Sequence, residues 1–343
     1  MRGPVAVAAA ALALAAVPAL AGAPRAEARP FEEMSERTRR AIGRGLEFLD
    51  RSQSRDGSWS SNGNYIAAMT ALSGTAFLGA GHTPGRGRYG KNVERAVSFL
   101  LRHQDRTGLI ATPSEGGRAM YGHGFSTTFL SQACGMDSDP ERTGRVRKAV
   151  QRAVMLIARS QSPAGGWYYT PESRTDEGSV TVTQVQALRA ARNIGATVPG
   201  KTIDRAVNYM KKSQNADGSI RYRVSMGGGG RPPLTAAGCE VFFSLGMYDA
   251  PETQKALKNL RQQMGNNRSW GHQTYFIFYA AQAFFQAGGD DWRKYYPKMR
   301  DIILNSQKGS GEWQGDHVGG VYGTALSLMV LEIPWRYLPI FQR

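Results

Sequence analysis

Gln53-Ser54-Arg55-Asp56-Gly57-Ser58-Trp59, Gln161-Ser162-Pro163-Ala164-Gly165-Gly166-Trp167 and Gln307-Lys308-Gly309-Ser310-Gly311-Glu312-Trp313 share one frame: glutamine first, glycine in the fifth place, tryptophan in the seventh. Two further copies open with Gln104 and Gln214, keep the glycine at Gly108 and Gly218, and carry Ile110 and Ile220 where the indole would stand. The remaining copy, fifth in chain order, begins at Met264, with Arg268 in the glycine place and Trp270 in the aromatic one. Six copies at intervals of about 50 residues announce a repeat architecture. A glycine held at one offset marks a turn with positive φ.

Upstream of each anchor the apolar spacing is shared as well. Ile42, Leu46 and Leu49, then Val93, Val97 and Leu100, then Val150, Val154 and Ile157, then Ile203, Val207 and Met210 each form one face of a helix in the same register. The fifth copy keeps Leu257 and Leu260; the sixth has Met299, Ile302 and Ile303. Downstream, residues 65–78, 121–134, 180–194, 234–247, 275–285 and 321–333 are apolar on more than one side and read as buried helices. Gly79, Gly135, Gly195, Gly246 and Gly288 are placed to end five of them. An amphipathic outer helix, a turn and a buried inner helix, six times over, predict an all-α chain of about twelve helices in six helical hairpins, as an open solenoid or a closed ring.

The Gln, Gly and Trp frame resembles the QW repeat of squalene and oxidosqualene cyclases, and the helical pairing is similar to that of the protein prenyltransferase β subunits. The resemblance covers nearly all of residues 37–333. It implies an α/α toroid, with an inner ring of helices around a lumen and an outer ring enclosing it, as a single domain over residues 29–343. The chain has length for one such barrel, whereas cyclases of this type use two. Their chemistry departs from this sequence. They protonate an alkene with an Asp-x-Asp-Asp cluster, which is absent here; Asp290-Asp291 reads as a helix N-cap and first-turn charge instead. The prenyltransferases hold zinc with Asp, Cys and His. Gly238-Cys239-Glu240 is similar to their cysteine segment, but Ala237 stands near where the Asp would be, and Val321-Tyr322-Gly323-Thr324 has no His. Nor does Gly238-Cys239-Glu240 supply the Gly-Cys-Gly-Glu-Gln loop of the complement thioester toroids. No metal site and no cofactor are expected.

Arg2 followed by an alanine-rich apolar run over residues 5–20 has the form of a signal peptide. It would be cut after Ala21 or Ala28, so that residues 1–28 are removed. The run is shorter than the roughly 20 residues a spanning helix needs, and the mature chain is expected outside the cytosol, periplasmic or extracellular, with no integral span. With only Cys134 and Cys239, at most one disulfide is available, and the fold must rest on its core. The 43 Lys and Arg against 27 Asp and Glu give a net charge of +16. Export argues against nucleic acid as the partner, which leaves contacts with anionic surfaces or a solvated basic exterior.

Candidate functional residues gather where outer helices hand over to inner ones, at one rim of the expected lumen: His123, Cys239, Glu240, His272, Tyr275, His317 and Tyr322. The three histidines are expected as hydrogen-bonded loop or helix-start groups; a divalent metal shared with Asp316 or Cys239 is the other reading. The glycine-rich stretches 227–230 and 116–117 read as exposed loops, or as anion holders before a helix. Small residues at inner-helix starts, Ala67, Ala68, Ser126, Thr127, Ala236 and Ala237, would open a funnel or permit close helix packing. The leading functional expectation is a module binding a hydrophobic, isoprenoid or peptide ligand in the lumen. The alternatives are a prenyl-transfer or cyclisation enzyme with an unrecognised site, and an envelope scaffold with a filled lumen.

Overall fold

The computed structural model describes residues 34–265 and 271–342. The expected signal peptide with its cleavage points, and Arg268 and Trp270 of the fifth repeat, lie outside the described residues. Among the described residues there are twelve α-helices and no strand beyond isolated bridges. The outer helices are α1 (Glu36–Ser52), α3 (Gly90–Arg102), α5 (Pro140–Arg159), α7 (Gly200–Ser213), α9 (Pro251–Gly265) and α11 (Gly289–Ser306). The inner ones are α2 (Ile66–Gly79), α4 (Ala119–Met136), α6 (Gly178–Asn193), α8 (Pro232–Ser244), α10 (Gln273–Ala287) and α12 (Gly320–Glu332). Each inner helix packs on the next, and α12 packs on α2, while α1 meets α11 and α12. The solenoid alternative is thereby excluded: the chain is a closed α/α toroid. No described helix is long and apolar enough to cross a membrane.

The repeated frame is the fastener of the ring. The side-chain amide of each glutamine donates twice: to the carbonyl of its own turn glycine, and to a carbonyl of the next outer helix. Gln53 thus joins Gly57 and Asn92, Gln104 joins Gly108 and Ala149, Gln161 joins Gly165 and Thr202, and Gln214 joins Gly218 and Glu252. Three residues beyond each of those carbonyls the next outer helix presses on the turn glycine. A methyl group built on Gly57 would sit 2.6 Å from the Arg95 carbonyl, and φ there is +97°, so both space and conformation demand glycine.

The same positions explain part of the basic composition. Arg95, Arg152 and Arg44 donate to the Oε1 of Gln53, Gln104 and Gln307, and Arg205 donates to the Ser162 carbonyl. One heptad later Arg102, Arg159 and Arg51 donate to the turn carbonyls of Asp56, Thr107 and Ser310, at 3.0, 2.9 and 3.1 Å. These arginines are joints between repeats.

Between the two rings lies the core. Trp59, Trp167 and Trp313 are fully buried, and each indole N–H donates at 2.7 Å to a carbonyl of its own outer helix, Leu49, Ile157 and Ile303. The backbone N–H of each donates at 3.0 Å to a threonine of its own inner helix, Thr70, Thr181 and Thr324. The apolar stripes of α1, α3 and α5 are buried as expected. In α7 the stripe turns: Thr202, Ala206, Tyr209 and Met210 are buried while Ile203 and Val207 are half-buried. The helix rotates to bring the Tyr209 hydroxyl to the buried Asp176 carboxylate, 3.0 Å away.

Two local expectations change. Gly195, Gly246 and Gly288 do follow their helices with positive φ, but Gly79 is the last residue of α2 and Gly135 lies inside α4. Gly288 is the N-cap of α11, so Asp290 and Asp291 are first-turn charges only, and Asp291 takes a two-pronged hydrogen bond from Arg261 of α9 at 2.8 and 2.7 Å.

Candidate functional site

All six inner helices begin at one rim, and carboxylates satisfy the free N–H groups of alternate helices there. Glu115 accepts from the Ala67 N–H of α2 at 2.8 Å, and Asp316 accepts from Thr274 and Tyr275 of α10 at 3.2 and 3.4 Å. Glu177 caps α6 through the N–H groups of Ser179 and Val180, both at 2.9 Å. Burial pushes the Glu177 carboxyl up, against the pull of those donors. The Tyr121 hydroxyl lies 3.4 Å from Glu177 Oε2 and also bonds Ser179 Oγ, and burial beside this carboxylate raises the phenol well above its usual range. Tyr169 and Tyr222 share a hydroxyl contact, the rings of Tyr121 and Tyr169 lie 5.8 Å apart, and those of Tyr275 and Tyr279 lie 4.6 Å apart. This mouth of phenols can hydrogen-bond a polar head while its ring faces receive an apolar body.

The expected site residues divide into three groups. His272, Tyr275, His317 and Tyr322 do come together at the starts of α10 and α12. The two imidazoles are exposed with ring centres 5.2 Å apart, and burial pushes the Tyr322 phenol up beside Asp316. His123 lies elsewhere, turned toward the outer ring. Its Nδ1 accepts the Ile110 N–H at 3.1 Å, so Nε2 carries the proton and donates to the Ala153 carbonyl at 3.3 Å. It thus does for the second repeat what Thr70, Thr181 and Thr324 do for theirs, and burial lowers its pKa to about 4. Cys239 is fully buried, and burial pushes its thiol up; Arg261 of α9 and Asp291 of α11 are among the charges acting on it. Both cysteines are free thiols. Glu240 belongs to neither place, being deeper along the axis. Among the described residues no three His, Cys, Asp or Glu side chains are grouped to hold a metal ion.

The axis carries a polar belt that sequence reasoning missed apart from Glu240. Ser244 donates to Glu240 at 2.6 Å, Arg189 donates to Ser244 at 3.3 Å, Gln186 donates to Gln282 at 3.1 Å, and Tyr279 to Gln186 at 3.4 Å. The available signal was the appearance of Gln132, Gln186, Gln282 and Gln286 within the largely buried helices α4, α6 and α10. Ala67, Ala68, Ser126, Thr127, Ala236 and Ala237 are all buried, so they pack helices together and open no funnel.

At the opposite rim the chain after α12 turns back into the ring. Ile340 and Phe341 are buried, and the Phe341 ring meets Phe278 at 6.3 Å and 75°. Gln286 donates to the carbonyls of Phe341 and Gln342 at 2.8 and 3.1 Å, Arg189 donates to Gln342 at 2.6 Å, and the Ile340 N–H donates to Gln132 at 3.3 Å. Beside them lies a space of about 20 Å³, lined by side chains including Leu72, Phe125, Phe278 and Met329 together with Ile340 and Phe341. That is room for about one water. A larger concavity of about 310 Å³ lies between α10, α11 and α12, beside Trp313 and outside the axis. Glu332, near the same rim as Phe341, is buried with neither carboxylate oxygen hydrogen-bonded, and burial raises its pKa well above the usual value.

No family model matches the chain. A drimenyl diphosphate synthase of Streptomyces showdoensis is 26% identical over 222 residues, 64% of this chain. Those residues span 39% of that relative, so the likeness covers about two fifths of its length. Among solved structures, the type II terpene cyclase MstE from Scytonema, with its substrate geranylgeranyl dihydroxybenzoate, superposes with a TM-score of 0.59 at 15% identity, over 88% of this chain and 98% of that one. The GH76A α-1,6-mannanase of Salegentibacter sp. HEL1_6 gives 0.66 at 8% identity, over 88% and 99%. The chain has a terpene cyclase-like fold. As a terpene cyclase-like toroid it differs from the expectation drawn from its sequence chiefly in what fills its axis.

Proposed function

We propose that the protein is an exported binding module of terpene cyclase-like fold, taking a hydrophobic or isoprenoid molecule, or a peptide segment, along the axis of its ring. The observation that carries this reading is the occupancy of the axis by Ile340 and Phe341, whose main chain is held by Gln132 and Gln286, with Arg189 holding the next carbonyl, that of Gln342. An interior that receives apolar side chains and hydrogen-bonds the groups between them has the mixed lining of a ligand site. The tyrosine mouth and the likeness to a drimenyl diphosphate synthase support an isoprenoid-type ligand. The sequence has no Asp-x-Asp-Asp, and the carboxyls Glu115, Glu177, Glu240 and Glu332 stand on separate elements, which favours binding over cyclisation. Basic side chains not spent on repeat joints are assigned to contacts with anionic envelope surfaces.

The test is mass spectrometry of the purified mature protein, alone and after incubation with geranylgeraniol. A stoichiometric apolar ligand, weakened by Tyr275→Ala, is the expected result. A folded protein that carries nothing and takes up nothing would count against it. A second reading, an envelope scaffold, is favoured by the burial of Ile340 and Phe341 inside the ring, with a space of only about 20 Å³ beside them; it requires that no apolar probe binds under any condition in which the ring stays folded.

A further inference from the structure

We infer that the axis at the α12 end is a binding site for an apolar chain bearing a hydrogen-bond-accepting, preferably anionic, head, and that Ile340-Phe341-Gln342 occupies it in place of that ligand. This deepens, and rests on, the reading of the ring as a binding module. The segment's own atoms define the ligand chemistry. Phe341 lies against Phe278 where a hydrocarbon chain would lie, with Leu72, Phe125 and Met329 around the same space. The carbonyls of Phe341 and Gln342 stand where a carboxylate or carbonyl head would stand. Gln286 gives its amide to both, and the Arg189 guanidinium adds a charged donor to Gln342. Two donors from α6 and α10, one of them cationic, converge on oxygens, and a carboxylate would meet them better than a peptide carbonyl does.

The way the segment is held allows exchange. It enters as a short 3-10 turn (Pro339–Phe341) after an αL residue, Arg336. Gln286 and Arg189 donate to its main-chain carbonyls, and a ligand with two acceptor oxygens can take those bonds; the Ile340 N–H, which donates to Gln132, and the Gln342 side chain, which donates to the Arg336 carbonyl, are the contacts such a ligand would release. Removal of Ile340 and Phe341 would join their volume to the existing 20 Å³ space. By contrast, the inner helices that wall the site pack on one another around the closed ring and need not move.

The experiment uses the full chain and cis-parinarate, a fluorescent long-chain carboxylate, with its alcohol as the uncharged counterpart. Ile340→Ala combined with Phe341→Ala should raise affinity for the carboxylate about tenfold or more over the unmodified protein. Adding Gln286→Leu should cancel most of that gain for the carboxylate and less of it for the alcohol. A double variant with unchanged helicity and no gain in affinity overturns the proposal. Should the double variant fail to fold, amide exchange on the unmodified protein decides. Saturating probe should speed exchange at Ile340 and Gln342, and unchanged or slowed exchange there overturns the plug. Probe bound with the segment still protected, but lost on Tyr275→Ala, leaves the binding module standing and the plug refuted. Probe bound by neither protein refutes both.

Discussion

The side-chain amide of Gln307 donates to the Ala41 carbonyl at 2.9 Å, so the sixth repeat is tied to the first by the same bond that ties each of the Gln-anchored repeats to its successor. The second proton of that amide goes to Gly311 at 2.9 Å, and Arg44 completes the joint by donating to Gln307 Oε1.

Gln307→Leu should therefore loosen ring closure. It strands two carbonyls and an arginine, and the expected cost is about 1–3 kcal/mol. Urea denaturation followed by helicity measures it. Since Gln53, Gln104 and Gln161 make equivalent bonds, a substitution there should cost a similar amount; a loss at Gln307 below about 0.5 kcal/mol would mean that closure does not depend on this joint.

Trp167→Ala and Trp313→Ala should each cost about 3–5 kcal/mol, as truncations of buried aromatics do, because both indoles are buried and hydrogen-bonded to Ile157 and Ile303. Trp→Phe at either site should cost less, since it forfeits the N–H bond while keeping most of the apolar area. Chemical denaturation of the four variants checks the order.

His123 is neutral in the folded protein, with its pKa lowered to about 4 by burial. The unfolded chain takes up a proton near pH 6.5, so between about pH 6.5 and 4 it binds more protons than the native state. Stability from this group is complete above pH 6.5 and declines as pH falls through that window, by on the order of 3 kcal/mol in all. His123→Thr installs the residue other repeats use. The melting temperature of the unmodified protein should fall relative to that of His123→Thr as pH is lowered from 7 to 4, and a constant difference would refute the neutral, buried assignment.

Glu332 behaves in the opposite sense. Burial without a partner raises its pKa well above the usual value, so the native state holds a proton that the unfolded chain has released, and its contribution falls as pH rises above the unfolded pKa. Glu332→Gln removes the penalty. It should raise the melting temperature at pH 8 and change it little at pH 4, as measured by calorimetry across that range.

What the sequence determined by itself was whatever local geometry writes at fixed spacing. The helix stripes, the turn glycines, the Gln and Trp offsets and the six-fold count all follow from contacts within about fifteen residues or from one contact repeated between neighbours. Hence six helical hairpins, and the approximate bounds of the six inner helices, could be read from it, while the choice of a closed ring over an open solenoid came from the family resemblance and was decided by the packing of α12 on α2. Also legible was the convergence of His272, Tyr275, His317 and Tyr322, because residues at equivalent places in adjacent repeats share a rim. Only the tertiary structure decided which way a side chain on an all-buried helix points. On such a helix nearly every direction is buried, and no periodicity separates axis from outer ring; that is why His123 proved to serve Ile110 and Ala153 and why Gln186 and Gln282, the partners of the belt around Glu240, went unnoticed. The return of Phe341 onto the axis likewise has no local signature. It is decided by Gln132, Arg189 and Gln286, which stand far from it in sequence and meet it only once the ring has closed.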